Sequence, residues 1–522
     1  MNGRHNRFIL KGMLLLGVVL PAQLLRAQDI YDWEAWRMGR NIAGLAASSS
    51  PRGEVTNTVG RSNAELSGGV ETGGYRSLSE AQTLWSGGVT AGTEVHYRDM
   101  LLAGDFSFSV AGGEGMCGSM FTHPGYYPID ILEFTPGAKT LQSYGLGGGI
   151  AWKNGSRFIP GCTFRFGGSN YSKRKDLRHT TYRQELELVP SLIYDGDGFV
   201  LGVSGIFVKD SEYVQAEQLG TATAESYYAF LDKGLMYGTY KVWDGSGVHL
   251  SESGVDRLPV RQYSYGASVQ AELGNFLYAD AEYVRSSGEV GEKGYSWFRF
   301  PGSSVAAKLV WTLHRQSGVH VIKASWEWRR QETDETVIDK QSSGGVTTPV
   351  EYGSNRIFER RSMRFGPAYD FYSACGAELH SELLIIKEKD RSTLMYPFLD
   401  LDEVTLMRLR IDGTLPLGAL ELSGGLSAGC KIGEHNHYIG NDNPDLGVVS
   451  EPYRLNDWFA CGQELNDAPF VGGAVGLRYN FTIAGHYRLY AGADYNVAHA
   501  FGVELLPGSW RHVAQIKLGY DF

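Results

Sequence analysis

Period-two alternation recurs along most of this chain, and it limits what the sequence can fold into. The last eleven residues, "HVAQIKLGYDF", show it plainly. Ala514, Ile516, Leu518, Tyr520 and Phe522 share one parity, and Val513, Gln515, Lys517, Gly519 and Asp521 share the other. Neighbouring side chains of a strand point to opposite faces, so this segment has one apolar and one largely polar face. The pattern recurs in "SYGASVQAELGNFLYADAEYVRS". There Tyr265, Ala267, Val269 and Ala271 oppose Ser268, Gln270 and Glu272. A Gly274-Asn275 turn follows, and then Ala279, Ala281 and Tyr283 oppose Asp280 and Glu282. This is a hairpin with two different faces.

Similar hairpins turn at Asn154-Gly155, at residues 195–198, at Ser317-Gly318, at Pro416-Leu417-Gly418 and at Ala484-Gly485. Longer polar or aromatic stretches separate them, at residues 111–141, 210–261, 332–356 and 433–468. Short and long connections therefore alternate. A transmembrane barrel needs that rhythm, with short periplasmic turns and long external loops, whereas a soluble sandwich does not. The segments run to about ten residues or more, enough for a tilted crossing. The predicted fold is all-β: an antiparallel, up-and-down transmembrane β-barrel of about eighteen strands, with bounds of roughly fourteen and twenty. Trp152, Trp311, Trp326, Trp328, Tyr479 and Tyr495 lie on the apolar parity, where an aromatic girdle would sit. The competing reading is a secreted soluble sandwich or solenoid. No fixed repeat period supports the solenoid.

Composition agrees with a sheet that is wet on one side. The chain has 68 Gly and 30 Tyr with a mean hydropathy of −0.23, which suits such a sheet better than a buried helical core. A net charge of −10 offers no basic field for nucleic acid. Arg4, His5, Arg7 and Lys11 precede "MLLLGVVLPAQLL", and the small Ala27 follows. Residues 1–27 read as a secretory signal peptide. Beyond it no run of about 20 apolar residues could form a membrane helix. The organisation is thus residues 1–27 signal, 28–57 an N-terminal periplasmic or lumenal plug segment, and 58–522 barrel. Residues 28–57 do not alternate. "IYDWEAWRMG" within them fits a short amphipathic helix whose Trp33, Trp36 and Met38 favour burial.

The inward parity places charges of both signs in the lumen. Glu272, Asp280 and Glu282 form its acidic part, and Arg408, Arg410, Arg478 and Arg488 form a candidate anion-attracting strip. The structural alternative is that these groups pair with each other and with folded-in loops. Tyr227, Tyr228, Tyr237, Tyr240 and Trp243 are external-loop ligand candidates, either for stacking or as the loop's own small core. His435 and His437 are weak metal candidates: they stand two apart, which is not a helical pair or a zinc spacing. Cys162, Cys375 and Cys430 fall in strand-like runs on the lipid-facing parity, and Cys117 and Cys461 fall in expected loops. A Cys117–Cys461 bond would clasp two loops over the mouth; otherwise both are isolated thiols.

A strand ending on Phe522 resembles the C-terminal signal of Gram-negative outer-membrane barrels. The resemblance implies an outer-membrane location, contact with outer-membrane lipid, and handling by the barrel-assembly machinery. The stretch "GRNIAGLA" resembles the Asn-Pro-Ala-Gly-Leu-Ala stretch of FadL-type hydrophobic-compound transporters, with Ile42 in place of the Pro. The expected function is a porin-like channel or gated transporter for a small solute. The alternative is a plugged surface partner of a lipoprotein, a second barrel, a receptor or a glycan. An outer-membrane enzyme is third: no local signature ties His380, His486 or His499 to a nucleophile, and no cofactor motif is present.

Overall fold

The computed structural model describes Trp36 and residues 40–48, 60–175, 177–217, 228–242, 257–274, 276–292, 295–343, 346–432, 455–483 and 487–521. A two-turn helix, α1 (Ile42–Ser48), comes first. The wall begins with β1 (Gly60–Gly73), β2 (Thr83–Tyr97), β3 (Met100–Ser119), β4 (Asp130–Trp152), β5 (Phe158–Lys173), β6 (Arg178–Asp195) and β7 (Phe199–Glu217). A small hairpin of β8 (Tyr228–Asp232) and β9 (Gly238–Val242) interrupts it. It resumes with β10 (Arg257–Leu273), β11 (Leu277–Glu292), β12 (Tyr295–Arg315), β13 (Gly318–Ser343) and β14 (Val346–Ser373). Then come β15 (Glu378–Ser392), β16 (Asp400–Leu417) and β17 (Leu420–Ile432). Helix α2 (Leu455–Asp467) precedes the last three strands, β18 (Phe470–Ile483), β19 (Tyr487–Ala500) and β20 (Trp510–Asp521).

Each wall strand pairs antiparallel with its sequence neighbour, and β7 pairs with β10 across the small hairpin. The circle closes where β20 meets β1, with Leu518 opposite Leu66 and Ile516 opposite Gly68. Of the 20 strands in the sheet, β8 and β9 stand outside the wall and hang from the upper end of β4. Eighteen strands therefore form a closed antiparallel barrel, the number expected from the hairpin rhythm. Closure gives every strand two partners and leaves no free edge.

The exterior is apolar over a continuous belt. Leu426 is 70% exposed, Ile516 66% and Val475 63%, far more than a water-facing surface accommodates in one patch. Trp152, Trp311, Trp326, Tyr479 and Tyr495 are exposed on that face, as their parity requires. The wall is much taller on one side. β13 has 26 residues and β14 has 28, against 12 in β20. About ten residues cross a membrane at a tilt, so β13 and β14 continue outward as a long hairpin.

This corrects the loop expected at 332–356, which is a strand pair carrying two register shifts. Residues 111–141 are likewise mostly the upper ends of β3 and β4. Three cysteine placements also change. Cys117 is on β3, Cys461 is on α2, and Cys375 lies in the turn between β14 and β15, beside the Ser373 hydroxyl at 3.1 Å. The hydrophobic pattern around each resembles that of its neighbours, so parity alone could not find the turn. All five thiols are free. Cys117 and Cys461 belong to separate buried clusters, and the clasp between them does not form.

The closing seam holds one close approach. Gly519 of β20 lies between Glu65 and Tyr490. Tyr490 folds across it and donates its hydroxyl to Glu65 Oε2 at 2.6 Å. A Cβ at residue 519 would stand 2.0 Å from the Tyr490 ring. Gly519→Val should therefore destabilise the folded barrel by about 1–3 kcal/mol through overpacking. The folded and boiled wild-type forms should migrate differently on a detergent gel, and the variant should convert at a lower temperature. An unchanged conversion temperature would remove this seam contact from the account.

Candidate functional site: a lumen obstructed at both ends

At the periplasmic end, α1 and Trp36 lie inside the wall. Asn41 starts the helix: its side-chain Oδ1 accepts the Ala43 N–H at 3.1 Å, the usual service of a capping residue. Two wall glycines make room for the helix. A Cβ at Gly149 would meet Ile42 at 2.3 Å, and one at Gly161 would meet it at 3.0 Å. The Trp36 ring is 1% exposed and sits over Gly44, where a Cβ would approach it to 1.9 Å. Its indole N–H donates to Glu272 Oε2 at 2.5 Å, and its ring meets Tyr278 edge-on at 5.1 Å.

Charge complements this packing. Arg40 donates to Glu187 at 2.7 Å and lies 3.1 Å from Glu282. The Asn41 amide donates to Gln270, which in turn donates to Asp280 at 3.4 Å. The acidic lumen group Glu272, Asp280 and Glu282 is thereby brought together around the N-terminal segment. Lys153 adds a hydrogen bond to the Ala47 carbonyl at 3.2 Å. The residues that resemble the FadL-type stretch are among those that dock here.

At the external end, residues 120–129 fold inward from the top of β3. Tyr127 donates its hydroxyl to Asp210 at 2.9 Å, the Thr122 N–H reaches Glu212 at 2.6 Å, and the Thr181 hydroxyl caps the Met120 carbonyl at 2.7 Å. Arg183 pairs with Asp210 and lies 4.4 Å over the Tyr126 ring. Burial, and then the negative charge of Asp210, hold the Tyr126 and Tyr127 phenols above their ordinary range. The loop is thus built to stay dry.

The β8–β9 hairpin covers the next sector. Ser392 donates to the Gly234 carbonyl at 2.6 Å, and Lys233 meets Glu335 at 2.5 Å. α2 covers the remainder. Trp458 meets Phe134 edge-on at 5.6 Å, and Tyr75 donates to the Leu465 carbonyl at 3.2 Å. Glu464 accepts the N–H groups of Glu504, Leu505 and Leu506, each at 2.8 Å. Burial raises the Cys461 thiol above its usual range, which suits a packing role over a reactive one.

The ligand candidates in the external loop are divided by this arrangement. Tyr237 is buried and Tyr240 packs edge-on against Phe230 at 5.0 Å, so both serve the lid's own core. Tyr228 starts β8, with its side chain outside the described residues; Tyr227, Trp243, His435 and His437 lie outside them altogether.

Arg408 and Arg410 face the lumen on β16, and Arg478 faces it on β18. Arg410 is paired with Asp412, and Arg478 stacks on Tyr490 at 3.7 Å while donating to Asn480 at 3.0 Å. Arg408 has no hydrogen-bond or ion-pair partner among the described residues. The Arg488 side chain lies outside them. Between these strands many lumenal positions are small (Ser423, Gly425, Ser427, Gly472, Gly476 and Gly492), with Glu421 opposite Arg478 and Asp494 opposite Gly476 among them. Lys517, paired with Asp494 at 2.7 Å, borders the far bank on β20. The result is a trough with a largely smooth floor, edged by Arg408, Arg478 and the paired Arg410–Asp412 and Lys517–Asp494.

Sequence reading missed the inward loop and its anchors, Arg183, Asp210 and Glu212. Their lumenal parity was readable. Their partners, Tyr126 and Tyr127, lie in a stretch with no period.

The closed wall, apolar belt and polar interior define a transmembrane β-barrel of the outer-membrane type. Residues 54–522 match a family of unknown function (DUF6850), and the chain belongs to it. No curated protein matches. Among solved structures, Pseudomonas aeruginosa OccK3 (OpdO) is 12% identical over 89% of this chain and 95% of its own, with a TM-score of 0.33. The outer membrane transporter YddB from Escherichia coli is 8% identical over 88% of this chain and 81% of its own, with a TM-score of 0.40. CdiB from Acinetobacter baumannii is 11% identical over 88% of this chain, with a TM-score of 0.35, and this chain spans 60% of its length. The superpositions are loose, and the barrel class rests on strand register and exterior.

The docking of the N-terminal segment can be tested by loosening it. Arg40→Ala with Glu272→Gln removes charge-assisted hydrogen bonds, a loss of about 1–3 kcal/mol. In an Ala46→Cys background, thiol labelling of the peptide carrying residue 46 should then accelerate by roughly tenfold or more. Equal labelling rates with and without the two substitutions would mean that these contacts do not hold the segment.

Proposed function

We propose that this protein is a gated channel or transporter for a small solute in the outer membrane of a Gram-negative bacterium. In this reading residues 1–27 direct export, residues 28–57 form a displaceable periplasmic plug, and residues 58–522 form the wall. One observation carries it. The obstructions at both ends are separable pieces held by side-chain contacts, whereas the wall at β17 to β19 keeps many small residues on its lumenal face. A barrel with only a structural role has no need of such a trough. Arg408, Arg410 and Arg478 along it favour an anionic solute.

A second reading, a plugged partner of a lipoprotein or another barrel, is favoured by a different feature. The tip between β15 and β16 exposes Leu394, Met395, Tyr396 and Leu399, at 40%, 70%, 68% and 70%. An apolar tip of this kind is a natural docking point.

Planar-bilayer recording separates the two. Deleting residues 28–57 should leave a heat-modifiable barrel whose conductance exceeds that of the full chain, and adding Arg408→Gln should lower its preference for anions. A folded deletion variant that shows no steady pore would remove the channel reading and leave the plugged partner.

A further inference from the structure

The outward face carries a second charge pattern, unrelated to the lumen. On β13, β14 and β15 the apolar belt ends at Trp328, Met363 and Ile385. Just above it, Arg330 of β13 is directly opposite Arg361 of β14, and Arg361 is directly opposite Lys389 of β15. Like charges at directly paired positions destabilise a sheet, yet here three cations stand side by side in one row. Their side chains are 41%, 48% and 31% exposed, and Lys387, one step below, is 50% exposed.

Carboxylates on the same face compensate only in part, because each of three serves two cations. Glu359 is shared by Arg330 and Arg361, and Glu403 by Lys387 and Lys389. Glu332 is shared by Arg330 and Arg356, which also reaches Asp334. Arg391 follows on the same face, with no hydrogen-bond or ion-pair partner among the described residues. The face therefore keeps a positive excess at the external edge of the belt. At the same edge β17, β18, β20, β1 and β2 present the exposed apolar side chains of Ile432, Val471, Trp510, Val70 and Trp85.

We propose that this row is a binding site for the phosphate of an outer-leaflet lipid. The geometry suits an amphiphile with an anionic head. The head would accept hydrogen bonds from Arg330, Arg361 and Lys389, in place of their mutual repulsion. Its acyl chains would lie below, along the exposed Trp326, Met363 and Phe365. Free phosphate has no use for that apolar surface. The inference relies on the membrane setting proposed above but not on transport.

The test uses the full mature chain in detergent, with bound lipid counted by native mass spectrometry. The probes are bis-phosphorylated lipid A, its dephosphorylated form and inorganic phosphate. The wild type should retain the phosphorylated lipid. R361Q/K389Q should retain roughly thirtyfold less, at about 1 kcal/mol per surface cation. Lys209→Gln, an outward cation on β7, should retain as much as the wild type. Heat-modifiable migration of each variant shows whether its barrel has formed, which keeps a failure of the barrel distinct from a failure of the site. Equal retention by R361Q/K389Q, equal retention of the dephosphorylated lipid, or displacement by equimolar inorganic phosphate would each overturn the proposal. The last two comparisons need only the wild type, so they decide the matter even if the double variant does not fold.

Discussion

The backbone pairing of β20 with β1 is the contact on which the other features depend. Without it the sheet would end in two rows of unpaired N–H and C=O groups, each costly to leave in hydrocarbon. With it, the wall can be apolar outside and polar inside. The seam is closely fitted: Gly519 admits the Tyr490 ring, and Tyr490 then bridges to Glu65 on the first strand and supports Arg478 on β18. A single missing Cβ thus links barrel closure to the lumen's basic strip.

Once closed, a barrel of this size leaves an interior that side chains of one wall cannot fill. This chain fills it unevenly. On the β3–β14 side, Trp36, α1 and loop 120–129 bring their own apolar cores and meet wall carboxylates with Arg40, the Trp36 indole N–H and the Tyr127 hydroxyl. On β17 to β19, many lumenal positions are Gly, Ser or Ala, with charges of both signs between them. The packed side supplies rigidity and the sparse side supplies space, a division of roles that suits a gated pathway along one wall. The outer surface is asymmetric as well, with cations above the belt on β13–β15 and apolar residues at the same height on β17–β20.

Much of this was readable from parity. The strand number, the short turns at 154–155 and 317–318, the outward aromatic residues and the inward placing of Glu272, Asp280, Glu282, Arg408, Arg410 and Arg478 all follow from a period of two. Parity failed where the chain leaves the wall or continues past the membrane. Cys375 was assigned to a strand because a tight turn between apolar residues keeps the pattern. Residues 332–356 looked like a loop because the buried inner face of this strand pair carries polar residues such as Thr333 and Thr336, which leaves no apolar alternation to show.

The sequence by itself determined the class of fold, because alternation, hairpin chemistry and the absence of a long apolar run together admit few other solutions. It also determined which residues face lipid and which face the lumen. Only the tertiary structure decided which lumenal charges meet. Glu272 and Glu282 come from different strands and acquire their roles from Trp36 and Arg40, more than 230 residues away in sequence. The folding of Tyr126 and Tyr127 into the barrel was likewise decided there. Parity says on which side of a sheet a residue lies. Contacts across a lumen depend on wall curvature, strand stagger and the path of loops, and none of these has a local period.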